Sequence, residues 1–390
     1  MSGYIVQQIL NGIQLGLIYA LIALGYTMVY GIIKLINFAH ADVFMVGAYI
    51  AFFVAAFCTG MNTVLPFWMW VWIALAAAYL LSTIAIARIT PLSRLFNRID
   101  SLQKHASLQK KFLYASIRNG LQLCFLLFIA TIAVPVLYYG SVMLYQLPLG
   151  PWLFLAVMIY SMSICAMLGA ALERIVYRPL RYRPRLSVLI TAMGASLFIE
   201  NFSSLDMVFG SAYRAFPEIL PKVEMLHIKS LDIVITSSFC INVAVVSLLL
   251  GGLWYLVGKT LIGKQMRAVS FNKHAAALMG IDIDAVITKT FMVGAALAGG
   301  SGVLYAMNYG VLQSPFLGFY PGIKAFIAAV LGGIGNLPGA VLGAFIMGIS
   351  EVFANSIDSN LGFAAAFVVL ICILLFKPTG LLGKQDHEKI

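Results

Sequence analysis

From residue 2 to residue 33 the chain carries no aspartate, glutamate, lysine or arginine. This mostly apolar run is longer than the ~18 residues that cross a hydrocarbon core of ~30 Å. It places a first span near 8–31, and comparable stretches follow near 41–58, 64–88, 121–146, 150–173, 187–205, 233–258, 289–309 and 361–376. A Gly-rich stretch occupies 322–353. Inside hydrocarbon no water pairs with the backbone, so each span must satisfy its own N–H and C=O groups as a helix. Short segments of alternating hydrophobicity, which a transmembrane barrel would show, do not occur. At 62% hydrophobic and 10% charged residues, the chain has too little charge to cover a soluble surface. The expectation is an all-α, polytopic helical membrane protein of about 10–11 spans.

The net charge of +11 is read as topology and not as a nucleic-acid surface. Arg94, Arg98, Lys104, Lys110, Lys111 and Arg118 load the segment 89–120. Arg174, Arg178, Arg181, Arg183 and Arg185 load 174–185, and Lys259, Lys264, Arg267 and Lys273 load 259–288. All three should be cytoplasmic. The segment 206–232 balances Arg214, Lys222 and Lys229 with Asp206, Glu218, Glu224 and Asp232, and should face outside. The tail around Lys377, Lys384 and Lys389 looks cytoplasmic, which requires an odd number of crossings after 310–320. The N-terminus lacks a basic n-region and a clear cleavage site, so its first span is read as retained. Cys58, Cys124, Cys165, Cys240 and Cys372 all lie in apolar stretches and read as small buried hydrophobes. The five histidines are scattered, and no metal site or cofactor is expected.

Gly332, Gly333, Gly335, Pro338 and Gly339 interrupt the stretch 322–353, which reads as two short segments around a break, one of them re-entrant in one version. Non-helical backbone at membrane depth survives only under protein or beside a water-filled path. The break is therefore either on a pathway or a packing kink. Small residues recur in 12–49 and 294–348, a weak internal symmetry. Gly258-Lys259-Thr260 has Leu253 where a phosphate-binding loop needs its first glycine, and Pro338 stands where a dinucleotide fingerprint after Gly333-Ile334-Gly335 needs its third. Neither is a nucleotide site. No catalytic constellation stands out, so the chain reads as a transport subunit and not an enzyme.

Longer motifs are more specific. Asn11-Gly12, Gly16, the run Tyr19 to Gly31, and Ile36-Asn37-Phe38-Ala39-His40 closely resemble the opening of LivH-type permeases, the high-affinity branched-chain amino-acid ABC transporter subunits. Glu173 to Arg181 looks like the basic loop of that family. Gly322 to Phe326, running on from Ala329 to Ala340, looks like its Gly-rich signature, and Pro378-Thr379-Gly380-Leu381 like its tail. Lys34 and Ala41 stand where the family usually has glycine, and Glu200 where it has glutamine. The resemblance leaves a single permease domain over 1–390 with an inserted segment near 66–150, comprising two extra spans and a basic loop. In that loop Leu95, Ile99, Leu102 and Ala106 recur at helical spacing, reading as either a helix on the anionic inner leaflet or a solvated loop.

The resemblance implies a permease of an ATP-driven importer for Leu, Ile and Val in the bacterial inner membrane. It also implies a LivM-type second permease, two ATPase subunits, a periplasmic binding protein and surrounding lipid. Urea, short amides or other amino acids remain open as cargo, and a stand-alone secondary transporter or channel remains a different class. For the path, the candidates are Asn37, Phe38, His40 and the broken stretch Gly332, Gly333, Gly335, Pro338 and Gly339; for Asn37 and His40 an interhelical hydrogen bond is the alternative. Asp42 and Lys324 read as span ends at interfaces, and Glu351 as an embedded carboxylate paired with a lysine. ABC permeases carry a cytoplasmic E-A-A-x-x-x-G helix that docks on the ATPase. His274, Ala275, Ala276 and Gly280 fit that spacing, with histidine in place of glutamate.

Overall fold

A computed structural model describes residues 2–59, 150–181, 183–206, 208–229, 232–312 and 317–383. Contacts divide the chain into two compact units, 1–62 with 148–390, and 63–147. The second unit lies outside the described residues, and with it the spans expected at 64–88 and 121–146, the helix through Leu95 and Ala106, and Cys124.

Among the described residues the helices are α1 (Ser2–Ile33), α2 (His40–Cys58), α3 (Pro151–Leu172), α4 (Arg185–Ser203), α5 (Ser237–Lys259), α6 (Leu261–Phe271), α7 (Lys273–Leu278), α8 (Ile283–Tyr309), α9 (Phe319–Gly332), α10 (Leu337–Ile357) and α11 (Leu361–Phe376). Seven helical stretches are long and apolar enough to cross a membrane, and α9 and α11 are shorter apolar helices. The polytopic helical architecture is therefore as expected. Only short ribbons interrupt it: β1 (Arg214–Ala215) pairs antiparallel with β4 (Val311–Leu312), and β2 (Glu224–Ile228) with β3 (Ile233–Thr236).

Local sequence explains several helix starts. Thr236, Thr260, Asn272, Asp282 and Asn336 each accept a backbone N–H at the N-terminus of α5, α6, α7, α8 and α10. Such caps satisfy donors that a helix leaves open. Gly258-Lys259-Thr260 thus ends one helix and caps the next.

The centre of the bundle is α1, α2 and α8. Helix α1 packs along α10 and α8, α8 along α3 and α2, and α9 along α10 and α1. Helices α4 and α5 stand at the periphery, leaving Ile190, Leu197, Phe198, Leu248 and Trp254 exposed. Cys240 and Cys372 are exposed too, correcting the reading of every cysteine as buried, whereas Cys165 is buried. It lies where α2, α3 and α8 cross, and there Ser161 donates to the Gly47 carbonyl at 2.8 Å. Gly47 has room only for hydrogen, since a Cβ would stand 2.6 Å from the Gly299 Cα. Small residues at such crossings let backbones approach and gain packing where lipid supplies no hydrophobic drive.

The sides are also legible in the contacts. The Gln7 side chain accepts from Val234 N at 3.0 Å, and β1 pairs with β4, so the start of α1, the 214–236 region and 310–312 share one end. Arg178 and Arg181 pair with Asp284, and Leu381 N donates to Leu331 O, gathering the basic loops and the tail at the opposite end. Between 312 and the tail stand α9, α10 and α11, of which α10 is long and apolar enough to cross a membrane and α9 and α11 are shorter apolar helices.

Candidate translocation path and coupling site

Helix α1 ends at Ile33, residues 34–37 are not helical, and α2 begins at His40. The chain turns through Lys34, whose φ of 57° is left-handed. That is costly for a side chain with a Cβ and natural for the glycine usual at this position. Ala41, the second departure, sets its carbonyl against the position of Gly318 and its Cβ against that of Gly322 at the start of α9. Two helices therefore begin side by side in the interior, α2 after the break at 34–39 and α9 after the segment leading from β4.

The motif residues converge here. His40 is buried, its ring 4.7 Å edge-on from Tyr26 and its Nε2 against the Cα of Gly25, beside the Gly294 carbonyl near the middle of α8. Tyr26 also meets Phe326 at 5.8 Å, and Phe38 lies 6.1 Å from Phe326. Asn37 is buried and accepts from the Tyr177 hydroxyl at 2.6 Å. A hydrogen bond to another segment, the alternative for Asn37, is therefore present, and His40 Nε2 has no hydrogen-bond partner among the described residues. Asn37→Ala strands the buried Tyr177 hydroxyl. The expected cost is about 1–3 kcal/mol, read as a lower melting temperature of the detergent-solubilised protein.

The glycine-rich break is set apart from this cluster. It begins at Gly332, six residues or about 9 Å along α9 from Phe326. Gly333 and Gly335 take φ of 100° and 95°, and α9 and α10 pack so closely at Gly332 and Gly339 that neither position admits a Cβ. Pro338 sits in the first turn of α10. The carbonyls α9 leaves open are taken by the tail: Leu381 N donates to Leu331 O at 2.8 Å and Leu382 N to Gly332 O at 3.0 Å. Asn336 Nδ2 donates to Leu382 O at 2.7 Å. The Gly-rich signature and the tail motif thus form one joint.

Two charged residues, Asp42 and Lys324, correct the sequence reading, and the pairing expected for Glu351 is present. Asp42 is buried and accepts from Ser196 at 2.5 Å; it is not a solvated span end. Lys324 is the partner of Glu351, at 2.5 Å, with side chains only 11% and 8% exposed. Tyr19 donates to the other Glu351 oxygen at 2.8 Å.

At the inner end a further cluster was missed. Helix α3 continues into a π-helical turn, Glu173–Tyr177, and a 3₁₀ turn, Arg178–Leu180. Glu173 is wholly buried there, pairs with Arg181 and accepts from Thr288 at 2.6 Å. Arg181 also pairs with Asp284 at 2.5 Å. The signal was present in the sequence, a lone acid opening a run of arginines, but the run was read only for topology. Burial, and then the nearby Arg181 guanidinium, push the Lys273 ammonium below the ordinary lysine range.

Lys273 opens α7, which carries the coupling motif. Asn272 caps it by accepting from Ala275 N at 3.1 Å. His274 and Ala275 are exposed, Ala276 is buried, and Gly280 turns the chain at φ 78° with open space around it. Phe271, Leu278 and Met279 are 94%, 89% and 82% exposed, an apolar tip on an otherwise basic loop.

The pattern of the family described as branched-chain amino acid transport system / permease component matches residues 8–104 and 120–376. The gap in that match falls inside the segment read as inserted. The chain is 34% identical over 386 residues to the high-affinity branched-chain amino acid transport system permease protein BraD of Pseudomonas aeruginosa, covering 98% of this chain and 97% of that one. It is 32% identical to LivH, the corresponding permease protein of Escherichia coli, over 99% of this chain and 98% of that one. A shorter likeness, 28% over 129 residues, links it to the guanosine ABC transporter permease protein NupP of Bacillus subtilis, covering 32% of this chain and 36% of that one. No solved structure matches the chain. A multi-pass helical bundle, opening with the Asn37–His40 break and matched along nearly its whole length by permease subunits, belongs to the family of branched-chain amino acid transport system permease components.

Proposed function

We propose that this chain is the transmembrane permease subunit of an ATP-driven importer that moves Leu, Ile and Val across a bacterial inner membrane. The observation that carries this reading is the exposed tip on α6 and α7. Phe271, Leu278 and Met279 present an apolar patch among Lys264, Arg267 and Lys273, on the side where the basic loops gather. Exposed apolar patches rimmed by charge are what a docking partner covers. The partners are a LivM-type second permease, two ATPase subunits and a periplasmic binding protein. The domain is single, with an inserted segment near 66–150.

In this reading the path runs past Asn37, Phe38 and His40, walled by Tyr26 and Phe326, and the joint at Gly332, Gly333, Gly335, Pro338 and Gly339 borders its inner end. Motion from the ATPase enters at His274, Ala275, Ala276 and Gly280. It passes to α8 through the Glu173–Arg181–Asp284 cluster beside Lys273.

Gly280→Trp tests this. The space around Gly280 is open, so the variant inserts and folds, yet it places a large side chain on the docking tip at a left-handed position. Uptake of leucine is expected to vanish, and ATP hydrolysis to stop responding to leucine-loaded binding protein. Normal uptake by this variant excludes the docking role. Copurification from native membranes identifies the partners, and the ligand profile of the binding protein separates branched-chain amino acids from urea, short amides and other amino acids.

A further inference from the structure

Near the outer end of the bundle, Tyr213, Tyr305, Tyr309, Val311, Leu317, Tyr320 and Pro321 line a half-open cavity of ≈ 250 Å³. That is just below the ~300–1,000 Å³ of ordinary ligand sites, so it suits a small solute. Its aromatic wall is ordered: Tyr305 stacks on Tyr309 at 4.3 Å, and Tyr320 meets Phe363 edge-on at 5.4 Å. One helical turn beyond Tyr320 on α9 stands Lys324, paired with Glu351, its ammonium 5.9 Å from the centre of the same Phe363 ring that Tyr320 meets. An opposite-charge pair thus sits directly behind a tyrosine-walled cavity.

We infer that this cavity is the receiving site for a small zwitterion with an apolar side chain, and that the Lys324–Glu351 pair is the charge pair it exchanges with on entry. An amino acid cannot enter an apolar path without replacing water around both its ammonium and its carboxylate. Tyrosine faces attract an ammonium and also cover a branched aliphatic chain. One helical turn along α9 from Tyr320 stand one cation and, paired with it, one anion. The substrate carboxylate takes Lys324 and its ammonium takes Glu351. In the empty state the two residues, with the Tyr19 hydroxyl, satisfy each other, so no bare charge is left in the membrane. Because the substrate must displace that contact, it binds weakly, as passage requires.

This inference rests on the importer reading, and the test separates the two. The transporter, purified with the subunits that remain bound, is reconstituted in nanodiscs. Leucine is the probe, by saturation-transfer NMR and by uptake with leucine-loaded binding protein. Lys324→Met with Glu351→Gln removes both charges at similar volume and keeps an acceptor for the buried Tyr19 hydroxyl, a change that is often neutral or stabilising. The expected result is an unchanged melting temperature with uptake lowered roughly 10- to 150-fold, as for a lost charged hydrogen bond. Tyr213→Ala removes a side chain 67% exposed, which the fold does not need. It should weaken the leucine signal roughly two- to fivefold. If the double variant keeps wild-type uptake, the pair only ties α9 to α10, and the inference fails while the importer reading stands. If the wild-type assembly moves no leucine, both fall.

Discussion

Replacing Glu173 with alanine is expected to loosen the inner end of the bundle. Glu173 is wholly buried where α3 winds into its π turn, and it holds both the Arg181 guanidinium and the Thr288 hydroxyl. Without it Arg181 keeps, among the described residues, only Asp284 as a counter-ion, with its side chain 10% exposed. Removing one member of a buried pair costs about 3–5 kcal/mol, because the remaining charge stays desolvated. The surviving Asp284 contact places this case near the lower bound. That is still a large share of the ~5–15 kcal/mol that separates folded from unfolded states in typical domains. The check is the melting temperature in mild detergent, and a variant melting with the wild type would show that the cluster holds nothing. Glu173→Met with Arg181→Met removes both charges together and should recover most of the stability. If the cluster passes motion from α7 to α8, this double variant still loses leucine uptake; if it is only a clamp, uptake returns with stability.

Gly25→Ala is expected to disable transport through a single methyl group. The Cβ would be in contact with the His40 ring and 3.0 Å from the Gly294 carbonyl. His40 cannot retreat easily, since Tyr26 is edge-on to it at 4.7 Å. Overpacking of this kind costs about 1–3 kcal/mol, and here it displaces the first residue of α2, at the mouth of the break. Leucine uptake should fall more than about tenfold, as one misplaced group in a positioned site commonly does. His40→Ala in the same chain opens the missing volume. The double-mutant cycle should then show a coupling of about 0.5–3 kcal/mol in melting stability, the range for residues in contact. Additive effects would mean that Gly25 and His40 do not press on one another.

The helices were legible because their cause is local. A run without charge from residue 2 to 33 can do little in lipid but form a helix, and the arginines and lysines between runs declare their side. Thr260, Asn272, Asp282 and Asn336 likewise start helices using atoms within three residues of themselves. The motif Asn37 to His40 could be singled out, and so could Gly280. What these residues touch could not. Glu351 was read as needing a lysine, but only the packing of α9 on α10 selects Lys324. Asp42 was read as a solvated end because it opens a span; the neighbouring Ser196, 154 residues away, makes it a buried one. The tail motif and the glycine-rich break were separate signals until Leu381 and Leu382 were seen to close the end of α9.

By itself, then, the sequence determined that this chain crosses the membrane repeatedly as helices, which loops carry the basic charge, and which family its motifs resemble. Those follow from hydration of charge and backbone, which each segment meets alone. The tertiary structure decided that α2 and α9 start side by side in the interior, which buried charges pair, and where a cavity opens beside them. Those depend on contacts between residues tens to hundreds of positions apart, and segment composition carries no record of which helix faces which.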